Sequence, residues 1–126
     1  MQRMFLLFGA TFGFLAVALG AFGAHAIKGQ ISTEMLAVFQ TGVQYQAMHA
    51  IALLLVAVLS DRLPEKQVRL AGYLFAVGIV IFSGSLYALS LTGVKALGAI
   101  TPLGGLAFMG GWLSLVYAGL KMPAKS

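Results

Sequence analysis

The placement of its charges constrains this chain more than any other feature. They fall at Arg3, Lys28 and Glu34, in a cluster from Asp61 to Arg69, and at Lys95, Lys121 and Lys125. Between them lie four uncharged runs: Met4 to Ile27, Met35 to Ser60, Leu70 to Val94 and Ala96 to Leu120, each 24 to 26 residues long. A helix that crosses the hydrocarbon core of a bilayer needs about 20 predominantly apolar residues, so every run suffices. The composition agrees. Charged residues make up 9% and hydrophobic residues 60%, where a soluble domain carries about 25% charged residues. Polar surface is too scarce to cover a water-soluble fold. The expected class is an all-α membrane protein, a four-helix transmembrane bundle of up-down topology. Residues 1–126 form one domain, with spans near 4–27, 35–60, 70–94 and 100–120.

The first run invites a second reading. Arg3, an apolar stretch and Ala24-His25-Ala26 resemble a signal peptide with a small-residue cleavage site. The stretch exceeds the roughly 7–15 apolar residues of a signal core, so it is expected to be retained as a transmembrane helix. Orientation follows from basic residues, which favour the cytoplasmic side. With four spans, the termini and the second loop share one side, which carries Arg3, Arg62, Lys66, Arg69, Lys121 and Lys125. The other side has Lys28 and Lys95. Six against two places both termini in the cytoplasm, in a bacterial inner membrane. The residues after Leu120 are expected to fray.

The helix ends carry local signals. Ser32 or Thr33 can cap the second helix, with Glu34 complementing its dipole. Pro64 ends the turn after Asp61. Thr101 and Pro102 read as N-cap and first residue of the fourth helix, leaving 96–100 as a loop or a partly buried re-entry. Short loops make consecutive helices antiparallel neighbours.

Small residues recur at spacings of four or eight: Gly9 and Gly13, then Ala16, Gly20 and Ala24, then Ala76, Gly84 and Ala88, then Ala107, Gly111 and Gly119. Such rows let helix backbones approach in lipid. They serve packing within one bundle or a homo-oligomer contact on a free face.

The second span holds the chemistry. Gln44, Tyr45, Gln46 and His49 interrupt an otherwise apolar run. Tyr45 and Gln46 lie four and three residues before His49, so the three share a helix face. A polar side chain in hydrocarbon needs a partner, and the third span offers Ser83, Ser85 and Tyr87 at similar depth. The expectation is a buried polar layer of Gln44, Tyr45, Gln46, His49, Ser83, Ser85 and Tyr87 in the outer half of the membrane. It acts as interhelical glue, at roughly 0.6 kcal/mol per hydrogen bond, or as a ligand or proton site resting on His49, whose imidazole type titrates near neutral pH.

Other chemistry finds little support. No Asp or Glu lies in any uncharged run, and there are no cysteines. No acid is available to orient a His49–serine pair for nucleophilic catalysis, so no catalytic residue is assigned. His25 sits at the outer end of the first span, about 13 Å in depth from His49 at 1.5 Å per residue. The pair therefore suits neither bis-His haem nor a metal, and no cofactor is expected. His25 reads as an interfacial residue bonded to loop backbone. Trp112, Tyr117 and Tyr73 read as packing or interfacial anchors. The net charge of +5 is spread singly, without the clustered patch that nucleic-acid binding needs. The expected partners are membrane lipids.

Four ordered motifs also carry a resemblance. GAFGAHA at 20–26, TGVQYQAMHAIALLL from 41, LFAVGIVIFSGSLYAL from 74 and GAITPLGGLAFMGGW from 98 resemble the small bacterial YgdD-like inner-membrane family, a domain of unknown function. The resemblance covers nearly the whole chain. It implies a four-helix multi-pass membrane protein and supplies no reaction, substrate or cofactor. It draws attention to His25, Gln44, Tyr45, Gln46, His49, Ser83, Gly84, Ser85, Tyr87, Thr101, Pro102, Gly104 and Gly105. The functional expectation is a non-enzymatic structural, accessory or lipid- or small-ligand-binding membrane protein. The alternatives are a small transporter or proton relay using His49, and an enzyme on a membrane-borne substrate.

Overall fold

The computed structural model describes residues 1–124. Lys125, part of the charge asymmetry, lies outside them. Four helices are long and apolar enough to cross a membrane: α1 (Gln2–Ile27), α2 (Thr33–Leu59), α3 (Glu65–Thr92) and α4 (Lys95–Leu120). No strand forms among the described residues.

Local chemistry sets the ends. The Ser32 hydroxyl accepts the Met35 N–H at 3.0 Å, and Glu34 stands in the first turn of α2. This satisfies one free N–H and places a negative charge at the positive end of the helix dipole. Pro64 precedes α3, which starts five residues ahead of the uncharged run. Glu65, Lys66 and Arg69 stand exposed on its first turns, and Arg69 and Glu65 pair at 2.6 Å. Gly93, at φ 74°, closes α3 by returning its N–H to the Leu89 carbonyl. That left-handed geometry suits glycine, which has no Cβ to clash.

Residues 96–100, expected as a loop or a partly buried re-entry, fall mostly in a short helical turn. Lys95–Ala99 forms a 3₁₀ turn with no buried residue. Thr101 does not cap the helix. The α-helical body begins at Thr101 itself, with Ile100 in the cap position. Its hydroxyl is drawn to Ser85 instead, because burial leaves that serine without water.

The helices pack in an ordered way. α1 runs past α2 in the opposite direction, with Gly9 against Ala50 and Leu54 at one end and Gly23 against Phe39 at the other. The Gln2 amide donates to the Ala57 carbonyl at 2.9 Å and fastens the start of α1 to the end of α2. α4 packs chiefly on α3. The Phe108 ring fills the space beside Gly78, the Phe75 ring the space beside Gly111, and Gly104 lies on the Phe82 backbone. α2 and α3 thus form the inner pair, and the larger shares of their spans are buried. A hydrophobic core around Phe5, Leu53, Val56, Val68 and Phe75 occupies the end that holds the start of α1 and the turn between α2 and α3.

Several glycines therefore act as sockets for aromatic rings rather than as lines of backbone contact. Phe5, fully buried, fills the one at Gly72. Gly84 and Gly119, read from the sequence as packing positions, have open space where a Cβ would stand.

Candidate functional site

Gln46 is the middle residue of the 27-residue α2, and its amide spans three helices. Its Nε2–H donates to the Phe12 carbonyl of α1 at 2.9 Å, and its Oε1 accepts the Tyr87 hydroxyl of α3 at 2.6 Å. One turn away, the fully buried Ser83 hydroxyl donates to the Gly42 carbonyl of α2 at 2.7 Å. A π-helical turn at Ile79–Ser83 interrupts α3 and ends on this serine. Such turns re-aim side chains relative to a regular helix.

His49 lies one helical turn from Gln46 and is 1% exposed. Trp112 of α4 donates its indole N–H to His49 Nε2 at 3.0 Å, and His49 Nδ1 stands 2.8 Å from the Tyr45 carbonyl. An indole nitrogen can only donate, so Nε2 carries the lone pair and Nδ1 carries the hydrogen it gives to Tyr45. Both ring nitrogens are thus engaged. Phe108 stacks on the imidazole at 3.6 Å and 9°, and Phe75 closes another side at 5.5 Å.

The remaining link joins α3 to α4. Ser85 and Thr101 share a hydrogen bond of 2.6 Å between hydroxyl oxygens. Every buried side-chain nitrogen and oxygen among the described residues has a hydrogen-bond partner.

This arrangement departs from the sequence reading in specific ways. Gln46, His49, Ser83, Ser85 and Tyr87 come together around the α2–α3 pair. Gln44 does not join them: it is exposed, because two residues along a helix is about 200° of rotation from Gln46. Tyr45 is 38% exposed and contributes its carbonyl and ring. His49 meets neither Ser83 nor Ser85, whose hydroxyls are engaged elsewhere. Its partner is Trp112, which the sequence reading placed among packing anchors. A donor-only indole in a membrane span needs an acceptor, and that was the available signal. His25 is exposed and has no side-chain hydrogen bond to loop backbone among the described residues. Pro102 is exposed in the first turn of the α-helical body of α4.

Chemically, the site can bind helices to one another. Its imidazole has no free nitrogen, and the hydroxyls of Ser83, Ser85, Tyr87 and Thr101 all donate or accept within the bundle. No group of three or more metal-ligating side chains occurs among the described residues. Two surface grooves flank the layer. One, of about 380 Å³, runs between α2 and α4 beside Tyr45, Met48, His49, Phe82 and Trp112. The other, of about 500 Å³, is wholly apolar and runs between α1 and α3 past Phe12, Tyr73 and Val77.

Four apolar spans joined by an internally satisfied polar layer define a multi-pass helical membrane protein. Relatives give it a family. The family model described as Protein of unknown function (DUF423) matches residues 19–105, and the chain belongs to that family. It is 51% identical to the UPF0382 membrane protein YwdK of Bacillus subtilis (strain 168), over 95% of this chain and 98% of that protein. Identity is 44% to the UPF0382 membrane protein SAB0533 of Staphylococcus aureus (strain bovine RF122 / ET3-1), with the same coverage. It is 37% to the UPF0382 inner membrane protein YgdD of Escherichia coli (strain K12), over 98% of this chain and 95% of that protein. The family resemblance carried by the four sequence motifs is thereby established. No solved structure matches the chain.

Proposed function

We propose that this protein is a non-enzymatic structural or accessory component of the bacterial cytoplasmic membrane that accommodates lipid acyl chains along its two grooves. It is an up-down bundle with both termini in the cytoplasm. The positive-inside asymmetry, six basic residues against two, supports that orientation. The name of the Escherichia coli relative, an inner membrane protein, supports the placement in the cytoplasmic membrane.

One observation carries the non-enzymatic reading: every buried polar side-chain atom of the layer is already engaged within the bundle. A catalytic base needs a free nitrogen or oxygen within reach of a reacting atom, and a proton relay needs a partner that can hand a proton on. Instead, the imidazole of His49 is held between an indole donor and a backbone carbonyl. The grooves beside it are lined by aromatic and aliphatic side chains, which suits hydrocarbon.

Reconstitution into vesicles containing a trapped pH dye tests this. The reading expects the wild-type protein to leave proton permeability at the level of protein-free vesicles. A proton flux that disappears in His49→Phe would overturn it in favour of a relay.

A further inference from the structure

Gln40 and Gln44 lie on the face of α2 that no other helix covers, and both are exposed. Neither amide has a hydrogen-bond partner among the described residues. Gln46 marks the middle of α2, so at about 1.5 Å per residue Gln44 lies about 3 Å from mid-helix and Gln40 about 9 Å. Both depths fall inside a hydrocarbon core about 30 Å thick. Lipid tails cannot hydrogen-bond, and an amide left unpaired there is costly. Something must meet these two side chains.

The surrounding face says what. Beyond Gln44, and apart from Tyr45, which turns toward α4, the exposed positions are Met48, Ile51, Leu55 and Val58. The steps alternate four and three, which is the heptad seam of two helices in left-handed packing. No charge occurs between Met35 and Ser60, so nothing on this face repels a second copy of itself. Two copies inserted in one membrane with the same orientation are related by a two-fold axis along the membrane normal. Their α2 helices then run parallel, and each seam residue meets its own counterpart. A primary amide holds both a donor and an acceptor, so Gln44 opposite Gln44 is self-complementary, as an isologous contact requires.

We infer that the protein is a homodimer whose two α2 helices pack along the Gln44–Val58 seam, with the paired Gln44 amides, flanked by Gln40, supplying the hydrogen bonds at one end of it. This contact differs from one through Gly/Ala rows. It uses the outward face of the same helix whose inward face carries Gln46 and His49. α2 would then be both the tie within each copy and the contact between copies.

The chain has no cysteine, so a single introduced thiol reports without background. Ile51→Cys would be oxidised in native membranes, with Val80→Cys and Leu113→Cys, exposed positions on α3 and α4, as comparisons. The expected result is a disulfide dimer at Ile51→Cys, at least several-fold more abundant than at the other two positions. On the Ile51→Cys background, Gln44→Leu should reduce the dimer several-fold and Gln44→Asn should retain most of it. Leucine is tolerated on a lipid-facing surface, so loss of cross-linking in Gln44→Leu is read alongside an unchanged melting temperature of the monomeric bundle in detergent. Three results overturn the inference: equal cross-linking at all three positions, a cross-link only to a different protein, or a dimer indifferent to Gln44→Leu.

Discussion

The indole of Trp112 and the imidazole of His49 lie 63 positions apart in the chain and share one hydrogen bond of 3.0 Å. That bond joins α4 to α2, and its direction is fixed because tryptophan only donates. It also fixes which nitrogen of His49 carries hydrogen, and so what the residue can do.

Breaking this pair should cost stability in a defined way. Trp112→Phe removes the donor and is expected to destabilise the bundle by about 1 kcal/mol, within the range of polar contacts measured in membranes. His49→Ala should cost more, because it also removes the ring stacked on Phe108 and leaves the indole N–H of Trp112 without its acceptor. A double-mutant cycle read by unfolding in mixed detergents should return a coupling of about 0.6–1.7 kcal/mol. A coupling of zero would mean the two rings only touch.

Gln46 is the tie that joins the most helices, since its amide links α1 and α3 to α2. Gln46→Leu keeps the volume and removes both bonds, stranding the Tyr87 hydroxyl and the Phe12 carbonyl. The expected loss is about 2 kcal/mol, compared with about 1 kcal/mol for Tyr87→Phe, which removes the hydroxyl and one bond together. If Tyr87→Phe proves the costlier of the two, the amide is not the centre of the layer.

The spans were legible because charge in lipid is expensive and interrupts an apolar run wherever the chain leaves the membrane. Which polar groups would be buried was partly legible, and which would meet was not. Gln46, His49, Ser83 and Tyr87 are the types and spacings expected of an inward face. Yet three of the acceptors are the carbonyls of Phe12, Gly42 and Tyr45, and a backbone carbonyl carries no residue signature. Gln44 was grouped with its neighbours by position in the chain, although helix rotation separates it from Gln46. Thr101 looked like a cap because threonine before proline often is one. A buried Ser85 at hydrogen-bond distance outweighed that local preference.

Glycine substitutions should divide by what stands opposite. Gly104 rests on the Phe82 backbone, which cannot swing aside, so Gly104→Ala should destabilise by about 1–3 kcal/mol through overpacking. Gly119 faces open space, so Gly119→Ala should be neutral or stabilising by up to about 1 kcal/mol from helix propensity. Thermal unfolding of the two variants side by side checks the difference in sign.

Trp112 is the one tryptophan, and it borders the groove between α2 and α4. If acyl chains lie in that groove, vesicles of brominated phosphatidylcholine should quench most of its fluorescence. Quenching no greater than that of a soluble tryptophan analogue would mean that something other than lipid fills the groove.

The most direct test of the central claim, that the polar layer is satisfied within the bundle, is nitrogen NMR of the two histidines in nanodiscs at pH 7. The His25→Asn variant assigns the His49 signals. The structure predicts a single neutral imidazole with hydrogen on Nδ1 and a bare, hydrogen-bonded Nε2, and the Nε2 signal should shift in Trp112→Phe. Hydrogen on Nε2, or an imidazolium, would contradict it: Trp112 could not then donate to that nitrogen, and His49 would be free for a role beyond holding helices together.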